Sequence, residues 1–155
     1  MCKQIFGSKH TFRGCRYYHT KLERQVEILL EKQRLSKTTL MRDDSCRPKT
    51  FTVAVEKDTG QFSPLCSYVR QSDRVTDCII VQAALATSAA PWAFNPASIK
   101  SKIGSKIDLI DGGVGHNNPA NDAIIEAKEL WPDNNLGVIV SIGNRFCRTQ
   151  SISPI

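Results

Sequence analysis

The sequence predicts an α/β fold, a three-layer α/β/α sandwich on a largely parallel sheet, and three observations point there. Segments with helical spacing alternate along the chain with segments of strand composition, the order that generates βα units. Residues 78–90 are an apolar run without a charge, the pattern of a helix covered on most sides. Residues 136–142 (Leu-Gly-Val-Ile-Val-Ser-Ile) are nearly continuously apolar, as in a strand buried on both faces.

In chain order, Leu22, Val26, Leu29 and Leu30 fall at i, i+4, i+7 and i+8, with Lys21, Glu23, Arg24, Glu27, Glu31 and Lys32 on the remaining positions. Residues 20–35 are therefore expected to form an amphipathic helix lying on a core. Residues 50–55 are β-branched and aromatic, and Asp58-Thr59-Gly60 behind them is turn chemistry, so a strand and then a reversal are expected. Residues 65–70 read as a second, shorter strand. Asp77 is placed to cap the apolar helix and Pro91 to stop it. Residues 107–111 are another short strand, running into Gly112-Gly113. Asn118 followed by Pro119 starts a helix, the Asn capping free amides and the Pro pre-set at the first helical position. Ala123, Ala127, Leu130 and Trp131 are its expected inner face; Asp122 and Lys128 suit its two dipole ends, and Pro132 closes it.

With 155 residues, 41% hydrophobic and 23% charged, the chain has the composition of one soluble globular domain with a single core. Its net charge is +6, and the first 50 residues hold 12 basic and 5 acidic side chains against 9 and 10 in the remainder. The basicity belongs to the first third, which permits an anionic-lipid or nucleic-acid partner without requiring one. The apolar run is too short to cross a bilayer, and Pro91 and Pro96 cut the charge-free stretch that contains it. No apolar leader follows Met-Cys-Lys-Gln-Ile-Phe-Gly, so a cytoplasmic location is expected, with peripheral contact at membranes. The six cysteines form no C-x-x-C pair and read as thiols. Cys2, His10, Cys15 and His19 match no familiar zinc-finger spacing, so neither a metal nor another cofactor is expected.

The sharpest local feature is Asp111-Gly112-Gly113-Val114-Gly115-His116-Asn117-Asn118-Pro119. An acid at the C-terminal end of a strand, released into a Gly-Gly turn, sits where open α/β sheets build their sites. Alone, Asp-Gly is equally good turn chemistry. Two further features are the small-residue segment 83–91 and Val140-Ser141-Ile142-Gly143, each ordinary core packing by itself.

Together and in this order, these segments resemble the patatin-like phospholipase family, in the version found in large multidomain fungal proteins. Tyr18-His19-Thr20-Lys21-Leu22-Glu23, Lys49-Thr50-Phe51-Thr52-Val53-Ala54, and Glu126-Ala127 with Leu130-Trp131-Pro132 complete the match. The resemblance implies a Ser in Gly-x-Ser-x-Gly that attacks a lipid ester, an Asp of Asp-Gly-Gly that accepts its proton, and a Gly-rich oxyanion loop. On this chain Asp111 would be the proton acceptor, with Gly112 and Gly113 the turn that presents it. A Ser-Asp dyad asks one carboxylate to do what His usually does, so the acid must be partly buried yet within hydrogen-bond reach of the hydroxyl. His116 invites a triad, but it sits in a glycine turn five residues on, and the family does without it. It reads as a surface turn residue, and Asn117 and Asn118 as turn and cap.

No Gly-x-Ser-x-Gly occurs in the 155 residues; Phe6-Gly7-Ser8-Lys9-His10 has the pair but not the elbow. The Gly-rich oxyanion loop is absent too. Leu85 stands where the family commonly has Arg, and Asn144-Arg145 where it has Thr-Gly. The resemblance thus implies the C-terminal half of a catalytic domain, and so an incomplete sandwich: a basic segment 1–16, the domain portion 17–146, and a tail 147–155. Such a chain owns the base, lacks the nucleophile and is inactive alone, with a lipid or phospholipid ester as substrate of the full-length parent. A second reading is a non-catalytic remnant, prone to aggregate through an unpaired sheet edge. A third is a basic module in which Lys3, Lys9, Arg13, Arg16, Tyr17, Tyr18, Lys21 and Arg24 grip phosphates of anionic lipid or nucleic acid. Nucleic acid is not expected, because there is no Gly-rich nucleic-acid motif and no dense aromatic interleaving.

Overall fold

A computed structural model describes residues 17–45, 48–70, 75 and 77–142. Its elements are α1 (Thr20–Lys32), β1 (Phe51–Thr52), β2 (Ala54–Glu56), β3 (Leu65–Cys66), α2 (Ile80–Thr87), β4 (Ala97–Lys100), β5 (Lys106–Asp111) and α3 (Ala120–Leu130). They fall into two compact units, one ending at Asn117 and the other beginning at Asn118.

In the first unit α1 buries Leu30 and half-buries Leu22 and Val26, while Leu29 stays 49% exposed. The helix is shorter than its periodicity predicts because Arg34 takes a left-handed φ of 60°. The amides of Gln33, Arg34 and Leu35 then close onto carbonyls of the last turn. Before the helix, the Tyr17 amide donates to Ala93 O at 2.8 Å. The rings of Tyr17 and His19 lie 5.9 and 5.4 Å from that of Phe94.

His19 Nε2 is buried and makes no hydrogen bond among the described residues. Burial holds this imidazole below its ordinary 6.5, against the opposing pull of Glu23. A depressed value means the folded state binds protons less readily than the unfolded chain. The stabilisation is therefore complete above 6.5 and lost as pH falls through the lower folded value. Melting curves between pH 7.5 and 5 should show a decline that His19→Gln removes; an equal decline in the variant would assign it elsewhere.

Residues 50–55 do not form one strand. β1 pairs antiparallel with β3, whereas β2 pairs with β5, and Val53 is the break between the two sheets. The reversal at 58–60 forms as predicted: Gly60 has φ 68°, its amide donates to Glu56 O at 2.8 Å, and the Thr59 hydroxyl donates to Glu56 Oε2 at 2.8 Å. β4 is an element the sequence reading missed. It pairs with β5 through a tight hairpin, giving the order β2-β5-β4.

The chain is thus mixed α and β, but every strand pairing in these sheets is antiparallel, where the element order predicted a largely parallel one. The reason is β4: a strand joined to β5 by a hairpin returns antiparallel, whereas the helix-to-strand reading had assumed a crossover. The expected strand 136–142 is not formed either. Val138, Val140 and Ile142 are 81%, 76% and 93% exposed, and the segment pairs with no strand among the described residues.

α2 covers the sheet. Val81, Ala83 and Ala86 are buried and none of its residues is exposed, in keeping with an apolar helix buried on most sides. Its small side chains pack with Ala54, Leu65, Cys78, Ala97, Ile99 and Leu109 in one cluster, with Leu85 half-buried at the margin. Asp77 does not cap it; its carboxylate accepts from Arg42 Nη1 at 3.2 Å, and the Ile79 amide finds Gln82 Oε1 at 3.1 Å instead. The helix also stops before Pro91, at Thr87.

In the second unit Asn118 Oδ1 accepts the Ala120 amide at 3.3 Å, with Pro119 as the cap residue, one position from the predicted start. The predicted inner face is only half right. Ala127 and Leu130 are half-buried, but Ala123 and Trp131 are exposed and Glu126 is the buried residue of α3. A carboxylate inside the covered stripe is invisible to hydrophobic periodicity. No helix among the described residues is long and apolar enough to cross a membrane.

Candidate active site

Asp111 is the last residue of β5, and its backbone is held from two sides. It is paired with Ala54 of β2, and its amide donates to Ala89 O at 3.0 Å. Ala89 itself is fully buried, so the acid's main chain is fixed against the segment leaving α2. That segment is clamped in turn: the Thr87 hydroxyl donates to Val53 O at 2.7 Å. The end of the apolar helix, the break between the sheets and the tip of β5 therefore meet at one place.

Gly112 is required there by space. A Cβ on it would lie 2.6 Å from Val53 O, 2.8 Å from Val53 C and 2.5 Å from Val53 Cγ1. At Gly113 the nearest atom to an added Cβ is Asp111 Oδ1, at 3.4 Å, which is ordinary contact. The two glycines of the turn are thus not equivalent. Gly115 supplies the left-handed step, with φ 96°.

The turn orients the carboxylate. Asp111 Oδ1 accepts the Gly113 amide at 2.8 Å, its carbonyl accepts the Val114 amide at 3.1 Å, and Gly112 O accepts the His116 amide at 2.9 Å. This is an Asx-turn, in which a short acid side chain caps its own backbone. Oδ2 makes no hydrogen bond among the described residues, and the side chain is half-buried. A carboxylate held by one oxygen and open at the other has the inventory of a proton acceptor.

His116 is half-buried, its ring stacked on Phe62 at 4.8 Å, and no hydrogen bond joins it to the Asp111 carboxylate. It closes the turn rather than extending a triad. Asn117 and Asn118 are exposed. Of the basic module, Tyr17 is half-buried beside Phe94, while Tyr18, Lys21 and Arg24 are exposed; Lys3, Lys9, Arg13 and Arg16 lie outside the described residues, as do Cys2, His10, Cys15 and the Gly7-Ser8 pair. An open groove in the second unit, about 570 Å³ and lined by Trp131, Pro132 and Leu136 among others, is lined by no carboxylate.

Sequence reasoning missed Val53 and Thr87. The hydroxyl closing a helix of small residues was the available signal for Thr87. Nothing in residues 50–55 marks Val53, whose part is played by its backbone carbonyl.

Residues 9–124 match a family model described as Patatin-like phospholipase. Phospholipase A I of Arabidopsis thaliana is 37% identical over 90 residues, which cover 57% of this chain and 6% of that protein. The chain therefore corresponds to a small part of this curated relative.

Proposed function

The chain belongs to the patatin-like phospholipase family, and from that premise we propose that it supplies the acid half of a Ser-Asp dyad for lipid ester hydrolysis. The observation that supports this reading is the Asp111 turn, which ties down Oδ1 through Gly113 and leaves Oδ2 open. Oδ2 takes the proton of a serine hydroxyl as Oγ attacks the ester carbonyl carbon. The same proton passes to the departing alcohol, and water, deprotonated in the same way, then releases the acyl group from the serine.

The serine elbow and oxyanion loop must come from outside these 155 residues, since neither motif occurs in them. The three-layer sandwich with a largely parallel sheet belongs to the same reading. In it, residues 136–142 add to strands supplied with the serine segment, which would cover side chains that are now exposed. The substrate class is a phospholipid or other lipid ester met at a membrane surface from the cytoplasm.

Two measurements test the proposal. A serine-directed fluorophosphonate should fail to label the isolated chain stoichiometrically, and the chain should not release fatty acid from phospholipid vesicles. Joined behind the Gly-rich loop and Gly-x-Ser-x-Gly segment of a patatin-like phospholipase, it should do both. Stable labelling of the isolated polypeptide, or a joined protein that binds the probe but never hydrolyses lipid, would overturn the reading.

A further inference from the structure

Trp92 is 88% exposed and has φ 63°, a left-handed conformation that a bulky side chain rarely adopts. A turn of this shape favours Gly or Asn, so an indole there is carried against both backbone preference and the tendency of large apolar rings to be covered. The backbone beneath it is pinned. The amides of Ala93 and Phe94 both donate to Ala90 O at 3.0 Å, and Ala93 O accepts the Tyr17 amide at 2.8 Å. On that adjoining segment Tyr18 is 73% exposed, although its neighbour Tyr17 packs beside Phe94.

We propose that Trp92, with Tyr18, anchors this protein to the surface of an anionic lipid bilayer. The proposal rests on the lipid reading above and adds the surface by which the membrane is met. Indole and phenol each have an apolar body and a polar handle, and such rings settle at the level of the lipid headgroups. The charge nearby selects an anionic surface: Lys21 and Arg24 are exposed early in α1. Glu23, on the same stretch of α1, is half-buried and interacts with His19.

The anchor is also at the useful end of the sheet. Trp92 follows Ala89, whose carbonyl holds the Asp111 amide, by three residues. β4 then runs away from this end, starting level with Leu109 and finishing level with Lys106. The hairpin beyond it carries Ile103, which is 91% exposed. Ile103 is thus a matched control: an equally exposed apolar side chain at the opposite end of β4 and β5.

The experiment uses the 155-residue chain with Trp131→Phe, so that Trp92 is its one remaining tryptophan. The probe is vesicles of phosphatidylcholine containing phosphatidylserine. Trp92 emission should shift to the blue on mixing and be quenched by brominated acyl chains, with binding weakened by added salt. Trp92→Gly relieves the left-handed conformation, so it should melt no lower than the parent while co-sedimenting with the vesicles about tenfold more weakly. Ile103→Ser should bind as the parent does. Emission unmoved by vesicles, undiminished binding by Trp92→Gly, or an equal loss with Ile103→Ser would each overturn the proposal. Because vesicle binding reads no turnover, absent hydrolysis by the chain joined to a serine elbow, with intact Trp92 insertion here, would sink the hydrolase reading and leave this one standing.

Discussion

Asp111→Asn, in the chain joined to a serine elbow, is expected to cost about a thousandfold or more in lipid hydrolysis while leaving the melting temperature nearly unchanged. Asn has the size of Asp, and its carbonyl oxygen can still accept the Gly113 amide that now reaches Oδ1 at 2.8 Å. Only the second oxygen changes, into an amide nitrogen that donates and cannot receive a proton. General-base catalysis alone contributes some 10²–10⁴-fold, and a dyad with one carboxylate has no other group to take over. His116 cannot substitute, since its ring is stacked on Phe62 and makes no hydrogen bond to the acid. Retention of more than about a tenth of the rate would remove Asp111 from the mechanism.

Gly112→Ala is expected to be the most damaging single-methyl change in the turn, costing about 2–3 kcal/mol, because its Cβ overlaps the backbone of Val53 as well as its side chain, and the backbone cannot swing aside. For a chain of this size that corresponds to a fall in melting temperature of roughly 5–10 °C. Gly113→Ala, whose Cβ meets only ordinary contacts, should cost less than about 1 kcal/mol. Thermal melts of the two variants measure the contrast directly. If they melt together, the turn relaxes more freely than the crowding at Val53 allows, and the fixed placement of the acid goes with it.

What could be read from the residues was whatever depended on local chemistry. Leu22, Val26 and Leu30 marked the inner face of α1, Asp58-Thr59-Gly60 marked the reversal, and Asp111-Gly112-Gly113 marked the end of a strand and its turn. What escaped depended on partners distant in sequence. Residues 50–55 have uniform strand propensity, and only pairing with β3 on one side and β5 on the other divides them at Val53. β4 did carry a signal: Ala97 and Ile99 are buried while Ser98 and Lys100 are exposed, a period of two hidden behind Pro96. Overlooking it turned a hairpin into a presumed crossover, and so an antiparallel sheet into a parallel one. Segment 136–142 shows the converse, since strong β composition forms no strand where no neighbour among the described residues supplies the ladder.

Because the carbonyl of Val53 obstructs position 112 together with its side chain, trimming that valine offers no escape. Val53→Ala deletes Cγ1 but leaves the oxygen and carbon 2.6 and 2.8 Å from the intruding methyl. A suppressor screen on Gly112→Ala should therefore return true revertants, or changes that shift a whole strand, and no compensating side chain at 53. The same carbonyl is already engaged by the hydroxyl of Thr87, so neither peptide can drift without breaking a second tether. Tolerance to mutation in this corner is set by main-chain geometry, which point substitutions can damage but seldom redraw.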